Sequence, residues 1–353
     1  MFSPMSVAER IQPLDPAYFK QAQAHLDTQT KPQGSLGTLE HIACRLAAIR
    51  QGSPQADPAR IYTCAGDHGV AGQSVSLFPQ EVTRQMVENF MRGGAAINVL
   101  TRTAGVDLRV ADAGCLGGGF PDHPDLVQCK TAPGTADFTT GPAMTRQQCL
   151  QALENGVNLA RQAHADGIIT LGTGEMGIAN TTPATALFCA YLGLSPASIT
   201  GPGTGLSERG VQHKVRVIEN ALDLHAQTIS SADPVDILAA LGGFEIATLA
   251  GMILGGASLR MALVIDGFIS TSAFVAAHAI CPLAREYAFF SHASAEPGFK
   301  AVMDALKASP LLQLGLRLGE GTGAAMAIFL LRCAANIYNE MATFDTAGVH
   351  SGA

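Results

Sequence analysis

The sequence predicts an α/β protein: a three-layer, Rossmann-like parallel sheet with helices on both faces, plus a small helical domain built from the two ends of the chain. Three observations lead there. Short apolar runs recur from Arg60 onward, each ending in Gly or small polar residues and most followed by a helical stretch. Strands alternating with helices in this way build a parallel sheet covered on both faces. Of 353 residues, 47% are hydrophobic and only 14% charged, which suits a sizeable core with further burial between subunits. The two ends of the chain carry helical rather than strand periodicity.

Taken in order, residues 13–50 place Leu36, Leu39, Ile42, Leu46 and Ile49 at helical spacing. A turn at Lys31-Pro-Gln-Gly-Ser-Leu-Gly37 interrupts that segment and feeds the second helix through Ser35. The polar stretch Gln51–Pro58 reads as a linker. Strands are then expected at Arg60–Ala65, Val106–Ala111, Gly167–Leu171, Ala197–Thr200, Met261–Ile265 and Tyr287–Phe290. The last element is an apolar helix from about Gly323 to Phe344, packed back on the N-terminal helices. The expected division is residues 1–55 with 320–353 as the small helical domain and 56–319 as the large α/β domain.

The unusual polar motifs follow the expected strands. They are Gly66-Asp-His-Gly69, Asp112-Ala-Gly114, Gly172-Thr-Gly-Glu-Met-Gly177, Gly201-Pro-Gly-Thr-Gly205, Asp266-Gly-Phe268 and Ser291-His-Ala-Ser-Ala-Glu296. Parallel sheets bind ligands at the carboxyl ends of their strands, so one rim would gather this chemistry.

Composition removes several classes of function. A net charge of −7 with no cluster of Lys and Arg argues against a nucleic-acid partner. The N-terminus lacks the basic and apolar regions of a signal peptide. The longest uncharged apolar run, Ile246–Leu259, is too short to span a bilayer, and Gly251, Gly255 and Gly256 suit close helix packing instead. The eight cysteines form no C-x-x-C and read as reduced, buried thiols of a cytoplasmic protein.

Single motifs leave alternatives open. Gly172-x-Gly174-x-x-Gly177 fits a dinucleotide loop, but the acidic partner expected near Ile199 and Thr200 is missing. It remains a phosphate cradle ahead of a helix, with Thr182 as N-cap and Pro183 as first helical residue, or a structural turn. Lys214 is a phosphate ligand or a solvated surface lysine. Asp67 and His68 suggest a metal or proton relay, or merely an ordered loop; the ten histidines show no metal-ligand spacing. Glu320, between Gly319 and Gly321, is a helix cap or a general base. A helix N-terminus would lower its proton affinity, while Leu318 and Met326 would raise it by desolvation.

Taken together, the segments resemble the nicotinate-nucleotide:dimethylbenzimidazole phosphoribosyltransferase family. The resemblance rests on Lys31–Gly37, Gly66-Asp-His-Gly-Val70, Phe78-Pro-Gln-Glu-Val-Thr83, Gly93-Gly-Ala-Ala-Ile-Asn-Val-Leu100 and Gly174-Glu-Met-Gly-Ile-Ala-Asn-Thr-Thr-Pro183. Leu241-Gly-Gly-Phe-Glu245, Asp266–Phe268, Ser291–Glu296 and Arg317-Leu-Gly-Glu-Gly-Thr-Gly323 continue it to the end of the chain. It implies displacement of nicotinate from nicotinate mononucleotide by a benzimidazole, with inversion at the anomeric carbon, on the way to the lower ligand of cobalamin.

By the same resemblance Glu320 is the general base and Glu175 a second carboxylate at the reacting centre. Gly174, Met176, Gly177, Asn180 and Thr181 would hold phosphate and ribose, joined by Gly203, Gly205 and Lys214. Phe78 through Met86, with Leu318, would line the base pocket. Phe78 is bulky where some members carry a small residue, and Met86 stands where others carry an amide. The resemblance further implies no cofactor and no metal, a cytoplasmic homodimer, and a small helical domain that completes the partner's site.

Overall fold

A computed structural model describes residues 4–350. The outermost ends of the expected small domain, and the first three residues of the N-terminal stretch, lie outside that range. Six parallel strands are present: β1 (Ala59–Gly66), β2 (Asp107–Gly114), β3 (Leu126–Gln128), β4 (Thr170–Met176), β5 (Ala262–Ile265) and β6 (Ala288–Phe290). Their order, β3-β2-β1-β4-β5-β6, is that of a doubly wound sheet. The order reverses between β1 and β4, where Cys64 stands opposite Glu175 and Ala65 opposite Met176.

One face of the sheet is covered by the helices Arg146–Ala165 and Phe244–Ser258. The second is buried from Phe244 to Ala257, which accounts for its uninterrupted apolar run. The two helices meet almost backbone to backbone. A Cβ on Gly156 would stand 1.8 Å from the Thr248 carbonyl oxygen, and one on Gly251 would stand 1.9 Å from that of Leu153. No helix among the described residues is long and apolar enough to cross a membrane. On the other face, helix Thr322–Glu340 lies on β4, β5 and β1 and packs against helices Thr38–Arg50 and Ala96–Ala104.

Four local expectations are corrected. Ala197–Thr200 is not a strand: Pro196, with its φ already helical, opens the short helix Pro196–Ile199. Strand β3 was not anticipated, because three residues at a sheet edge leave almost no periodic signal. Helix Thr38–Arg50 begins beyond Ser35, after Gly37 at φ +53°. Finally, Gly172 and Gly174 lie inside β4 rather than in a loop after it. A side chain on Gly172 would meet Ile61 Cγ1 at 2.5 Å, so this glycine serves sheet packing.

All eight cysteines are free thiols; five are buried, and Cys129, Cys281 and Cys333 are partly exposed.

Candidate active site

A cavity of about 500 Å³ opens at the carboxyl ends of β4, β5 and β6. Its floor is made by two carboxylates from distant parts of the chain. Glu175 is the penultimate residue of β4 and is buried. Glu320 sits in the turn before helix Thr322–Glu340, at φ +64°. Two glycines allow these segments to touch. A Cβ on Gly174 would stand 2.3 Å from the Glu320 carbonyl oxygen, and one on Gly319 2.0 Å from Glu175 Oε1.

Hydrogen bonds fix the arrangement. The Glu320 N–H donates to the Glu175 carbonyl at 3.2 Å. Thr63 on β1 donates its hydroxyl to the Glu320 carbonyl at 2.7 Å. The Glu320 carboxylate accepts from the Ile97 N–H at 3.4 Å, at the start of helix Ala96–Ala104. The helix N-terminus beside Glu320 is therefore not that of its own helix. That one is held by Asp266, which accepts from the N–H groups of Gly321 at 3.1 Å and Ala324 at 3.0 Å.

Burial pushes the Glu320 carboxyl up from its ordinary range; the Ile97 N–H pulls it down and the negative charge of Asp266 adds to the rise. Burial also pushes Glu175 up, to about 8. Asn180, whose side-chain amide donates to Glu175 Oε2, opposes that shift, and Asp266, Glu245 and Glu320 reinforce it. A carboxylate with such a raised proton affinity is a competent acceptor near neutral pH.

The wall on the β4 side is the turn Met176–Asn180 leading into helix Thr181–Leu192. The helix begins one residue before Thr182, so Thr182 and Pro183 lie in its first turn instead of opening it. Lys214 is fully buried behind this turn, not solvated, and donates to Thr181 Oγ1 at 2.6 Å. Desolvation lowers its ammonium to about 8, and the nearby Glu296 charge counteracts part of that. Gly203 lines the cavity, whereas Gly205 lies near Leu77, outside the lining. Helix N–H groups beside a buried cation form an anion-binding end.

Other parts of the lining are apolar. Phe78, Val82, Met86 and Leu318 contribute to it, and Phe78 and Leu318 remain 52% and 56% exposed. Arg317 also lines the cavity and donates to the Gly203 carbonyl at 3.2 Å.

Asp67 and His68 do not line this cavity. His68 Nε2 pairs with Glu245 Oε1 at 2.7 Å in a fully buried contact, and the His68 carbonyl accepts from the Gln80 amide at 2.7 Å. Asp67 accepts from the Leu116 N–H at 2.8 Å. The Gln80 bond ties the loop after β1 to the start of helix Glu81–Met91, which carries Met86; the other two anchor it to helix Phe244–Ser258 and to the segment after β2. Several lining residues stood only inside quoted motifs, with no role assigned: His292, Ser294, Glu296, Arg317 and Phe268; Ile269 was not named. The Ser291–Glu296 motif was the available signal, but nothing in its spacing says which side chains turn inward.

A family model described as phosphoribosyltransferase matches residues 11–349. The chain belongs to this phosphoribosyltransferase family. It is 61% identical over 347 residues to a nicotinate-nucleotide–dimethylbenzimidazole phosphoribosyltransferase of Solidesulfovibrio magneticus, covering 98% of both chains. The protein of the same name in Nitratidesulfovibrio vulgaris is 62% identical over 346 residues, covering 98% of this chain and 97% of that one. Among solved structures, CobT from Thermus thermophilus superposes with a TM-score of 0.91 at 44% identity, over 96% of this chain and 100% of that one. The phosphoribosyltransferase fold thus extends over nearly all of the described residues, and the cavity lies at the rim of its sheet.

Proposed function

We propose that this phosphoribosyltransferase moves the 5-phosphoribosyl group of nicotinate mononucleotide to 5,6-dimethylbenzimidazole or a related base. The products are nicotinate and α-ribazole 5′-phosphate, with inversion at the anomeric carbon, in assembly of the cobalamin nucleotide loop. The observation that carries the reading is the pair of buried carboxyl groups, Glu175 and Glu320, in one cavity lined also by the start of helix Thr181–Leu192 and by apolar side chains.

A benzimidazole ring nitrogen attacks the anomeric carbon opposite the nicotinate. The glycosidic electron pair departs with nicotinate and neutralises its cationic ring nitrogen. Glu320 accepts the N–H proton that the benzimidazole must lose as its other nitrogen bonds to the sugar. Glu175 stands as a second carboxyl group at the reacting centre, held against the Glu320 turn by the main-chain hydrogen bond between them.

Met176, Gly177, Asn180, Thr181 and Gly203 hold the phosphoribosyl group, with Lys214 acting through Thr181. Gly174 admits the Glu320 backbone, and Gly205 shapes the loop under Leu77. Phe78, Met86 and Leu318 form the base pocket. Residues 1–55 with 320–353 act as the small helical domain of a cytoplasmic homodimer, each covering the partner's apolar opening; Leu77, 61% exposed, lies at the same rim.

The test is a metal-free incubation of the chain with nicotinate mononucleotide and 5,6-dimethylbenzimidazole, with products separated by chromatography. Wild type should release nicotinate and α-ribazole phosphate, and Glu320→Ala should lose roughly 10²-fold or more in rate. Failure of the wild type to bind the mononucleotide overturns the proposal.

A further inference from the structure

His292 follows the end of β6 and lines the cavity, yet it is buried and neither ring nitrogen has a hydrogen-bond partner among the described residues. Two glycines make room for it: a Cβ on Gly323 would stand 2.0 Å from its Cδ2, and one on Gly267 would stand 3.0 Å from its Nε2. Its Nε2 lies 3.8 Å from Oδ1 of Asp266, which is itself fully buried. The Asp266 carboxylate is the one polar group within ion-pair distance of this ring among the described residues.

Asp266 is tied directly to the turn that carries Glu320. Its two oxygens accept from Gly321 and Ala324, on the helix side of that turn. Its own N–H donates to Thr173 Oγ1 on β4 at 3.0 Å. Asp266 thus has one foot on the sheet and two on the helix that Glu320 precedes.

We propose that Asp266 and His292 are positioning residues for Glu320: Asp266 fixes its turn, and the balance of charge between the two governs how readily Glu320 takes a proton. The proposal rests on the reading of Glu320 as the general base. The groups that face Glu320 are Asp266 from the end of β5, Glu175 from β4, and the Ile97 N–H from helix Ala96–Ala104. Asp266 is faced by His292, by the two helix N–H groups and by Glu175. The charge of Asp266 pushes Glu320 up, and that of His292 pulls Asp266 down against the stronger effect of burial.

The two members of the pair therefore act on Glu320 with opposite sign. Asp266→Asn removes a neighbouring negative charge, so Glu320 ionises at lower pH. His292→Asn leaves the Asp266 charge unopposed, so Glu320 ionises at higher pH.

The experiment is a substrate-free infrared titration of the carboxyl stretch, with Glu320 identified by subtraction of Glu320→Gln, run beside the acid limb of kcat/KM for nicotinate release. Midpoints for Asp266→Asn and His292→Asn should move in opposite directions, each by roughly half a pH unit or more. Midpoints that stay at the wild-type value, or move together, overturn the pair. Should Asp266→Asn not fold, His292→Gln must reproduce the upward shift of His292→Asn; an unchanged midpoint there is equally fatal. Opposite shifts in a wild type that releases no nicotinate retain the pair and sink the reaction. Unchanged midpoints in an active enzyme sink the pair alone.

Discussion

The backbone N–H of Glu320 donates to the backbone carbonyl of Glu175 at 3.2 Å, so two carboxylates 145 positions apart in sequence share one main-chain hydrogen bond. Their relative placement is set by backbone rather than by flexible side chains. That makes the glycines around them as important to the site as the acids.

Gly319→Ala tests this. Gly319 has φ +84°, where a side chain costs about 1–2 kcal/mol, and the new methyl would lie 2.0 Å from Glu175 Oε1. We expect kcat/KM to fall about 10²-fold through displacement of the carboxylates, with thermal melting lowered only slightly. Wild-type kinetics in a folded Gly319→Ala variant would contradict the backbone argument.

Glu175 should leave a mark on stability. Its carboxyl is raised from 4.5 to about 8 in the folded chain, so the native state binds the extra proton between those values. Stability then declines as pH rises from about 4.5 to about 8 and is flat above. Glu175→Gln removes this slope, so chemical denaturation from pH 5 to 9 should show the variant gaining on wild type as pH increases. Parallel stability profiles would show that Glu175 ionises normally.

Lys214 gives a second pH signature, in binding. Its ammonium is lowered to about 8, so the free enzyme loses this cation above that pH. The KM for nicotinate mononucleotide should climb with pH beyond about 8. Lys214→Met should raise KM by about 10–100-fold, the worth of a hydrogen bond to a charged group, and abolish that climb. A Lys214→Met enzyme with the same KM–pH curve as wild type would remove Lys214 from the site.

Gly156→Ala addresses the core away from the cavity. The methyl has no space beside the Thr248 carbonyl, 1.8 Å from its ideal position, and overpacking of this kind costs about 1–3 kcal/mol. A Tm lower by roughly 1–4 °C with KM unchanged is the expected result. An unaltered Tm would mean that the two helices separate at little cost.

Much of this was legible beforehand, for identifiable reasons. Strands β1, β2 and β5 announce themselves as apolar runs closed by small residues, and parallel pairing makes such runs continuous. The family resemblance named Glu175, Asn180, Thr181, Phe78, Met86, Leu318 and Glu320, and all of them line one cavity. Edge strand β3 and helix Pro196–Ile199 escaped because each is too short to show a period. The glycines of β4 resembled a phosphate loop because a local pattern cannot distinguish a turn from a strand that another backbone crosses.

The sequence by itself determined the alternation of strands and helices, the apolar helix faces and the residue types available at the sheet rim, since each depends on local periodicity and composition. Only the tertiary structure decided which helix N-terminus faces Glu320, that Lys214 is buried, that Asp67 and His68 stand behind the wall, and that His292 lies against Asp266. Burial and charge pairing are relations between segments far apart in the chain. The proton affinities of Glu175, Glu320 and Lys214 arise from those relations and from no local pattern.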